Sequence, residues 1–143
     1  MFRGLVCASI AVNKIEDSLP AYTDGLGLKL MGDIHPGKRG YGLRIADLGD
    51  GDKIFLELLD SPGEGPVKQF IEHNGEGIYQ IRLETDNLYE TVKELRRRGL
   101  KIILPQPVGG GAPIDEPSLD IELAFIHPRS ISGVLVEMVQ SKR

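Results

Sequence analysis

The chain has 143 residues, with 17 Lys and Arg against 21 Asp and Glu and a net charge of -4 when histidines are neutral. That length predicts one compact domain with a real core, and the acidic balance argues against nucleic acid or an anionic membrane as the main partner. The single cysteine, Cys7, excludes an internal disulfide and fits a reducing cytoplasm, while no apolar run approaches the roughly 18 residues of a transmembrane helix.

The opening "MFRGLVCASIAV" imitates a weak signal peptide, with Arg3 ahead of a short apolar run. The run breaks at Asn13 and Lys14 without a convincing cleavage site, so it reads as the first strand. "NKIEDSLPAYTDGLG" carries Ile15, Leu19 and Tyr22 at helical spacing and stops at Gly25 and Gly27. Pro20 lies inside that pattern and predicts a helix that is short or starts late. "YGLRIADLG" and "KIFLELLD" read as strands separated by the turn signal "GDGD". "EGPVKQFIEHNGEG" is a connecting segment with a short helix, and "GIYQIRLET" is the next strand. In "DNLYETVKELRRRG", Asp86 or Asn87 can cap a helix whose inner stripe is Leu88, Val92 and Leu95, and Gly99 ends it. "LKIIL", "DIELAFIH" and "GVLVEMVQ" complete the strands.

Two of these strands carry a glutamate inside an apolar run: Glu57 in "KIFLELLD" and Glu137 in "GVLVEMVQ". An unpaired ionised carboxylate buried there costs several kcal/mol, so each must be paired, protonated, bound to a cation, or turned outward to water. The two halves of the chain superimpose. One constant offset places Asn13 on Asp86, Ile15 on Leu88 and Leu19 on Val92, and a slightly longer one places Glu57 on Glu137. The chain is therefore a duplicated β-α-β-β-β unit, too long in period for a solenoid. Because the glutamates fall on equivalent final strands, a shared site explains them better than chance outward placement.

The stretches "SIAVNKIEDSLPAYTDGLGLKL", "IFLELLDSP", "FIEHNGEGIYQIRLETDNL" and "AFIHPRSISGVLVEMVQ" resemble the vicinal oxygen chelate superfamily of glyoxalases, bleomycin-resistance proteins and dioxygenases, and within it the methylmalonyl-CoA epimerase-like branch. The resemblance implies an α+β fold of two tandem βαβββ modules. Module one would be residues 1–61, module two residues 76–143, and the linker residues 62–75. Their strands would form a curled mixed sheet around a central cleft, with the helices outside. It also implies a homodimer and a small organic substrate, acyl thioesters among them. Such clefts commonly hold one divalent metal (zinc, cobalt, nickel or manganese) on ligands from the first and last strand of each module. Read onto this chain, those positions are Cys7, Glu57, Gln80 and Glu137, and Gln80 follows Cys7 by the same offset that relates Asn13 to Asp86. The carboxylates match the epimerase-like pattern, whereas its two histidines are replaced by Cys7 and Gln80. A Cys-Glu-Gln-Glu set is mixed in softness, and the site can equally be metal-free.

The chemistry expected is proton transfer next to a carbonyl, as in an isomerase, epimerase or lyase, with Glu137 as general base and Glu57 as metal ligand or acid partner. The loop "GDIHPGKRGYG" lacks the second carboxylate that the epimerase-like pattern places there and offers His35, a proton acceptor at neutral pH, instead. Lys38 and Arg39 in the same loop can bind an anionic substrate, and Gln80 can contact it. The Gly- and Pro-rich segment at 108–120 reads as a lid. The alternative from another class is a metal-free module of the same fold that sequesters a small molecule without catalysis. The retained glutamates favour the enzyme, and the missing histidines favour the binding module.

Overall fold

A computed structural model describes residues 1–37, 42–107 and 109–142. The fold is α+β. Contacts divide the chain into two compact units, one of Cys7–Tyr79 and one of Met1–Val6 with Gln80–Arg143.

In the unit Cys7–Tyr79, strand β1 (Phe2–Ala11) contributes its second half and is followed by helix α1 (Ile15–Pro20). Strands β2 (Lys29–Leu30), β3 (His35–Pro36), β4 (Arg44–Gly49) and β5 (Ile54–Asp60) come next, and then helix α2 (Pro66–Asn74). The strand order is β2-β4-β5-β1, with β3 also on β4. β5 returns parallel to β1, pairing Ala8 with Leu56 and Ser9 with Glu57, whereas β4 runs antiparallel to β5. Pro20 has no N–H to donate, and the chain leaves α1 through a π-helical turn, Ala21–Gly25. The wider spacing shows in the bond from Leu26 N–H back to the Ala21 carbonyl. Ile15 of α1 packs with Val12, Ala46, Leu48 and Leu58, while Val67 of α2 packs with Ala11 and Leu59. Phe70 meets Tyr79 edge to face at 5.3 Å. The two-residue strand β3 lies where the sequence pattern gives only a loop.

The other unit repeats this plan with β6 (Gly77–Thr85), α3 (Leu88–Arg97), β7 (Ile102–Ile103), β8 (Leu123–Ile126) and β9 (Leu135–Gln140). The order is β6-β9-β8-β7, again with the last strand parallel to the first. α3 buries Leu88, Val92 and Leu95, the expected stripe, against Ile102, Ala124, Ile126, Val136 and Met138. Its start is held twice. Asn87 Oδ1 accepts from Glu90 N–H at 3.1 Å, and Gln140 Oε1 accepts from Leu88 N–H at 2.7 Å, tying the helix to the end of β9. Gly99, at φ +90°, supplies the left-handed residue that closes it. The first residue is anchored here too, since the Met1 carbonyl accepts from Thr85 Oγ1 at 2.6 Å.

The start of α1 has no side-chain cap of its own, and a remote carboxylate replaces it. Asp60, at the end of β5, accepts from Ile15 N–H at 2.8 Å and pairs through both oxygens with Arg44, at 2.9 and 2.6 Å. Arg44 also forks onto Glu16, and this pairing holds the Glu16 carboxyl down at about 2. Because Asp60 is buried, its removal leaves a helix N–H and a guanidinium partner unsatisfied. Asp60→Ala should therefore lower unfolding stability by about 2–3 kcal/mol. Glu16→Gln, at an exposed carboxylate, should cost much less. Urea denaturation of both variants checks the ranking.

Candidate functional site

In the parallel pairing of β5 with β1, Glu57 lies directly opposite Ser9, so both side chains project from one face. Ser9 is fully buried, Glu57 is 5% exposed, and Ser9 Oγ donates to Glu57 Oε1 at 2.5 Å. On the other side of β5 the partner is Asp47 of β4, and His35 Nε2 lies 2.8 Å from Asp47 Oδ2. A polar row thus crosses three strands in the order Asp47, Glu57, Ser9, with His35 attached at the Asp47 end. The hydrogen bond to Asp47 raises the His35 pKa above its ordinary value against the opposing effect of desolvation, and the negative charges of Asp47 and Glu57 add to the rise. At neutral pH the ring is better suited to donate a proton than its sequence context suggested. Cys7, two residues before Ser9 and on the same face, is buried and outside any disulfide, and its Sγ lies 3.5 Å from the Ala8 carbonyl oxygen. Lys38 and Arg39 lie outside the described residues.

In the other unit the corresponding pairing sets Glu137 of β9 opposite Arg82 of β6. Glu137 and Gln80 are each 8% exposed. Gln80 Nε2 donates to Glu137 Oε2 at 2.9 Å, and Arg82 Nε donates to the same oxygen at 3.1 Å. Phe125 of β8 occupies the position on the far side of Glu137 that Asp47 takes beside Glu57. The carboxylate is therefore held between an amide and a cation, with an aromatic residue on the neighbouring strand.

These partners test whether a divalent ion fits. Gln80 presents its N–H end, not a ligand oxygen, to Glu137. An ion bound at Glu137 Oε2 would face the Arg82 guanidinium. Two unit charges about 4 Å apart repel by about 4 kcal/mol at an effective dielectric constant of about 20, and a divalent ion meets roughly twice that. Among the described residues, no group of three or more His, Cys, Asp and Glu side chains is placed to hold a metal. The donor arrangement around Glu137 does not fit one.

Within each unit the structure brings together pairs that the sequence had singled out only in part. Gln80 and Glu137 are joined by a hydrogen bond, and Glu57 and His35 flank Asp47. Three members of these clusters went unnoticed in the sequence: Ser9, Asp47 and Arg82. A signal for two of them exists, since Ser9 and Arg82 are related by the same offset as Cys7 and Gln80, and each follows its suspected site position by two places. The described part of the 108–120 segment is clasped at its base. The Gln106 side chain accepts from Ile114 N–H at 2.9 Å and donates to the Ile114 carbonyl at 3.2 Å. Beside it lies a cavity of about 400 Å³, lined by Leu104, Ile114, Pro117 and Ile121 with Asp120 and Glu122. None of the catalytic or ligand candidates taken from the sequence lines it. His127 is a turn residue, its Nδ1 accepting from Arg129 N–H at 3.1 Å. No helix among the described residues is long and apolar enough to cross a membrane.

The Glyoxalase/Bleomycin resistance protein/Dioxygenase superfamily profile matches residues 8–116, and the chain belongs to that superfamily. Its relatives narrow the branch. It is 29% identical over 134 residues to the mitochondrial methylmalonyl-CoA epimerase of Dictyostelium discoideum, covering 91% of this chain and 74% of the relative. Among solved structures, a hypothetical protein from Bacillus halodurans C-125 superimposes with a TM-score of 0.76 at 35% identity, over 98% of this chain and 95% of the other. The methylmalonyl-CoA epimerase of Mycobacterium tuberculosis gives a TM-score of 0.76 at 25% identity, over 98% and 89%.

The raised His35 pKa has a defined linkage. Stability from the His35–Asp47 pair is fully present below the unfolded histidine value, about 6.5, and is lost as pH rises through the folded value. The ring is 45% exposed, so solvent screening keeps this contribution to a few tenths of a kcal/mol. Asp47→Asn should lower the His35 pKa, read by NMR titration of the ring protons. Its stability deficit against wild type should be largest near pH 6 and shrink towards pH 8.

Proposed function

We propose that the chain is an isomerase of the epimerase type, moving a proton at the carbon next to the carbonyl of a small acyl thioester. The observation that carries this reading is the buried Glu137 carboxylate, oriented by two donors on one oxygen, in a chain similar along most of its length to methylmalonyl-CoA epimerases. Glu137 is the general base that removes the proton next to the thioester carbonyl. The electron pair passes to the carbonyl oxygen as an enolate, and return of a proton to the opposite face completes the inversion. Gln80 and Arg82 fix the rotamer of the base, so that its position is set before substrate arrives.

In this reading Glu57 is the second carboxylate of the acid–base set, and His35, held by Asp47, is a proton donor. Lys38 and Arg39 are assigned to the anionic part of the substrate. The strand beside Glu137 carries Phe125 where a second acid–base group could stand, and this favours a second reading in which the protein binds such a molecule without turning it over.

Deuterium exchange separates the two readings. Wild-type protein with an acyl-CoA bearing an acidic α-proton, such as methylmalonyl-CoA, should incorporate solvent deuterium at that carbon, measured by mass spectrometry. Glu137→Gln should retain the fold, because its carbonyl still accepts from Gln80 and Arg82, and should lose at least about 100-fold in exchange rate. Saturable binding of the thioester with no exchange above background would establish the sequestering role instead.

A further inference from the structure

We infer that the Arg82 guanidinium supplies to Glu137 the positive charge that a divalent cation would supply, and that it keeps metal away from this carboxylate. Three observations converge. Arg82 and Glu137 are direct partners in the parallel pairing of β6 and β9, so the sheet itself brings the cation to the carboxylate. Arg82 Nε donates to Glu137 Oε2 at 3.1 Å, and the same oxygen takes the Gln80 amide at 2.9 Å. The Arg82 side chain is only 23% exposed and that of Glu137 11%, so the charge is held in the sheet and not waving in solvent.

A guanidinium is always protonated and has a fixed fork, so it supplies permanent positive charge to a carboxylate without any ligand exchange. Unlike a metal, it offers no open coordination position. Arg82 is thus a positioning residue, acting through Glu137. The equivalent position in the other copy is Ser9, which donates a neutral hydrogen bond to Glu57.

The inference rests on Glu137 being the working carboxylate for its functional meaning, but its test reads metal and not turnover. Untagged wild-type protein would be dialysed against chelator and then, separately, against zinc, cobalt, nickel and manganese, followed by elemental analysis and thermal melting. Wild type should retain well under one metal ion per chain, and its melting temperature should ignore both chelator and metal. Arg82→Met should take up more metal than wild type, and saturating metal should raise its melting temperature by several degrees, since an ion bound only by the folded state stabilises it. Arg82→Lys, which keeps the charge, should behave like wild type. A wild-type chain that holds one metal ion and melts lower after chelation overturns the inference. So does an Arg82→Met protein, folded by circular dichroism, that takes up no more metal than wild type. Failure of the proposed activity would show separately, as absent deuterium exchange in a protein whose metal behaviour is as described.

Discussion

A carboxylate inside a β-sheet must find a partner on a neighbouring strand, and this constraint organises both halves of the molecule. The last strand of each module runs parallel to the first, as a β-α-β-β-β plan requires when the helix carries the chain away and two hairpin-like steps bring it back. That parallel pairing sets Glu57 against Ser9 and Glu137 against Arg82. Leaving either glutamate without a partner would cost several kcal/mol, a large part of the total stability of a domain this size. Asp60 secures the start of α1 through Ile15 and Arg44, and Gln140 secures the start of α3 through Leu88.

Duplication supplied two copies of one scaffold, and the copies have diverged where it matters chemically. In one, the row His35, Asp47, Glu57 and Ser9 mixes a titratable cation, two carboxylates and a hydroxyl. In the other, Glu137 lies between Phe125 and Arg82, with Gln80 on the same carboxylate oxygen. The first arrangement can exchange protons near neutral pH, because a histidine is part of it. The second holds a single carboxylate in one orientation under a permanent charge. This divergence is what superfamily membership allows, since a shared fold fixes the scaffold and leaves the chemistry to a few exchangeable positions.

Much of this was legible in the sequence. The stripe of Leu88, Val92 and Leu95 marked α3, and the repeat offset marked the duplication. The two glutamates in apolar strands marked the positions where burial and charge conflict. What alternation along one strand cannot reveal is which residue of the neighbouring strand lies opposite, because that depends on register. Ser9, Asp47 and Arg82 went unrecognised for that reason. Arg82 in particular reads in isolation as an ordinary strand cation, and only its pairing with Glu137 gives it meaning. β3 was missed because two residues, one of them Pro36, carry no periodicity, and its existence depends on pairing with Ile45 and Arg44 of β4. The π-helical turn after Pro20 was foreshadowed only as a helix that could not run its full length.

The contact between Arg82 and Glu137 makes their side chains energetically coupled across β6 and β9. A double-mutant cycle with Arg82→Met, Glu137→Met and the combined variant measures this by urea denaturation in chelator-treated buffer. The double mutant should be more stable than the sum of the single changes implies, with a coupling of about 1.5–3 kcal/mol. A coupling within about 0.3 kcal/mol of zero, as for sites that do not touch, would contradict it.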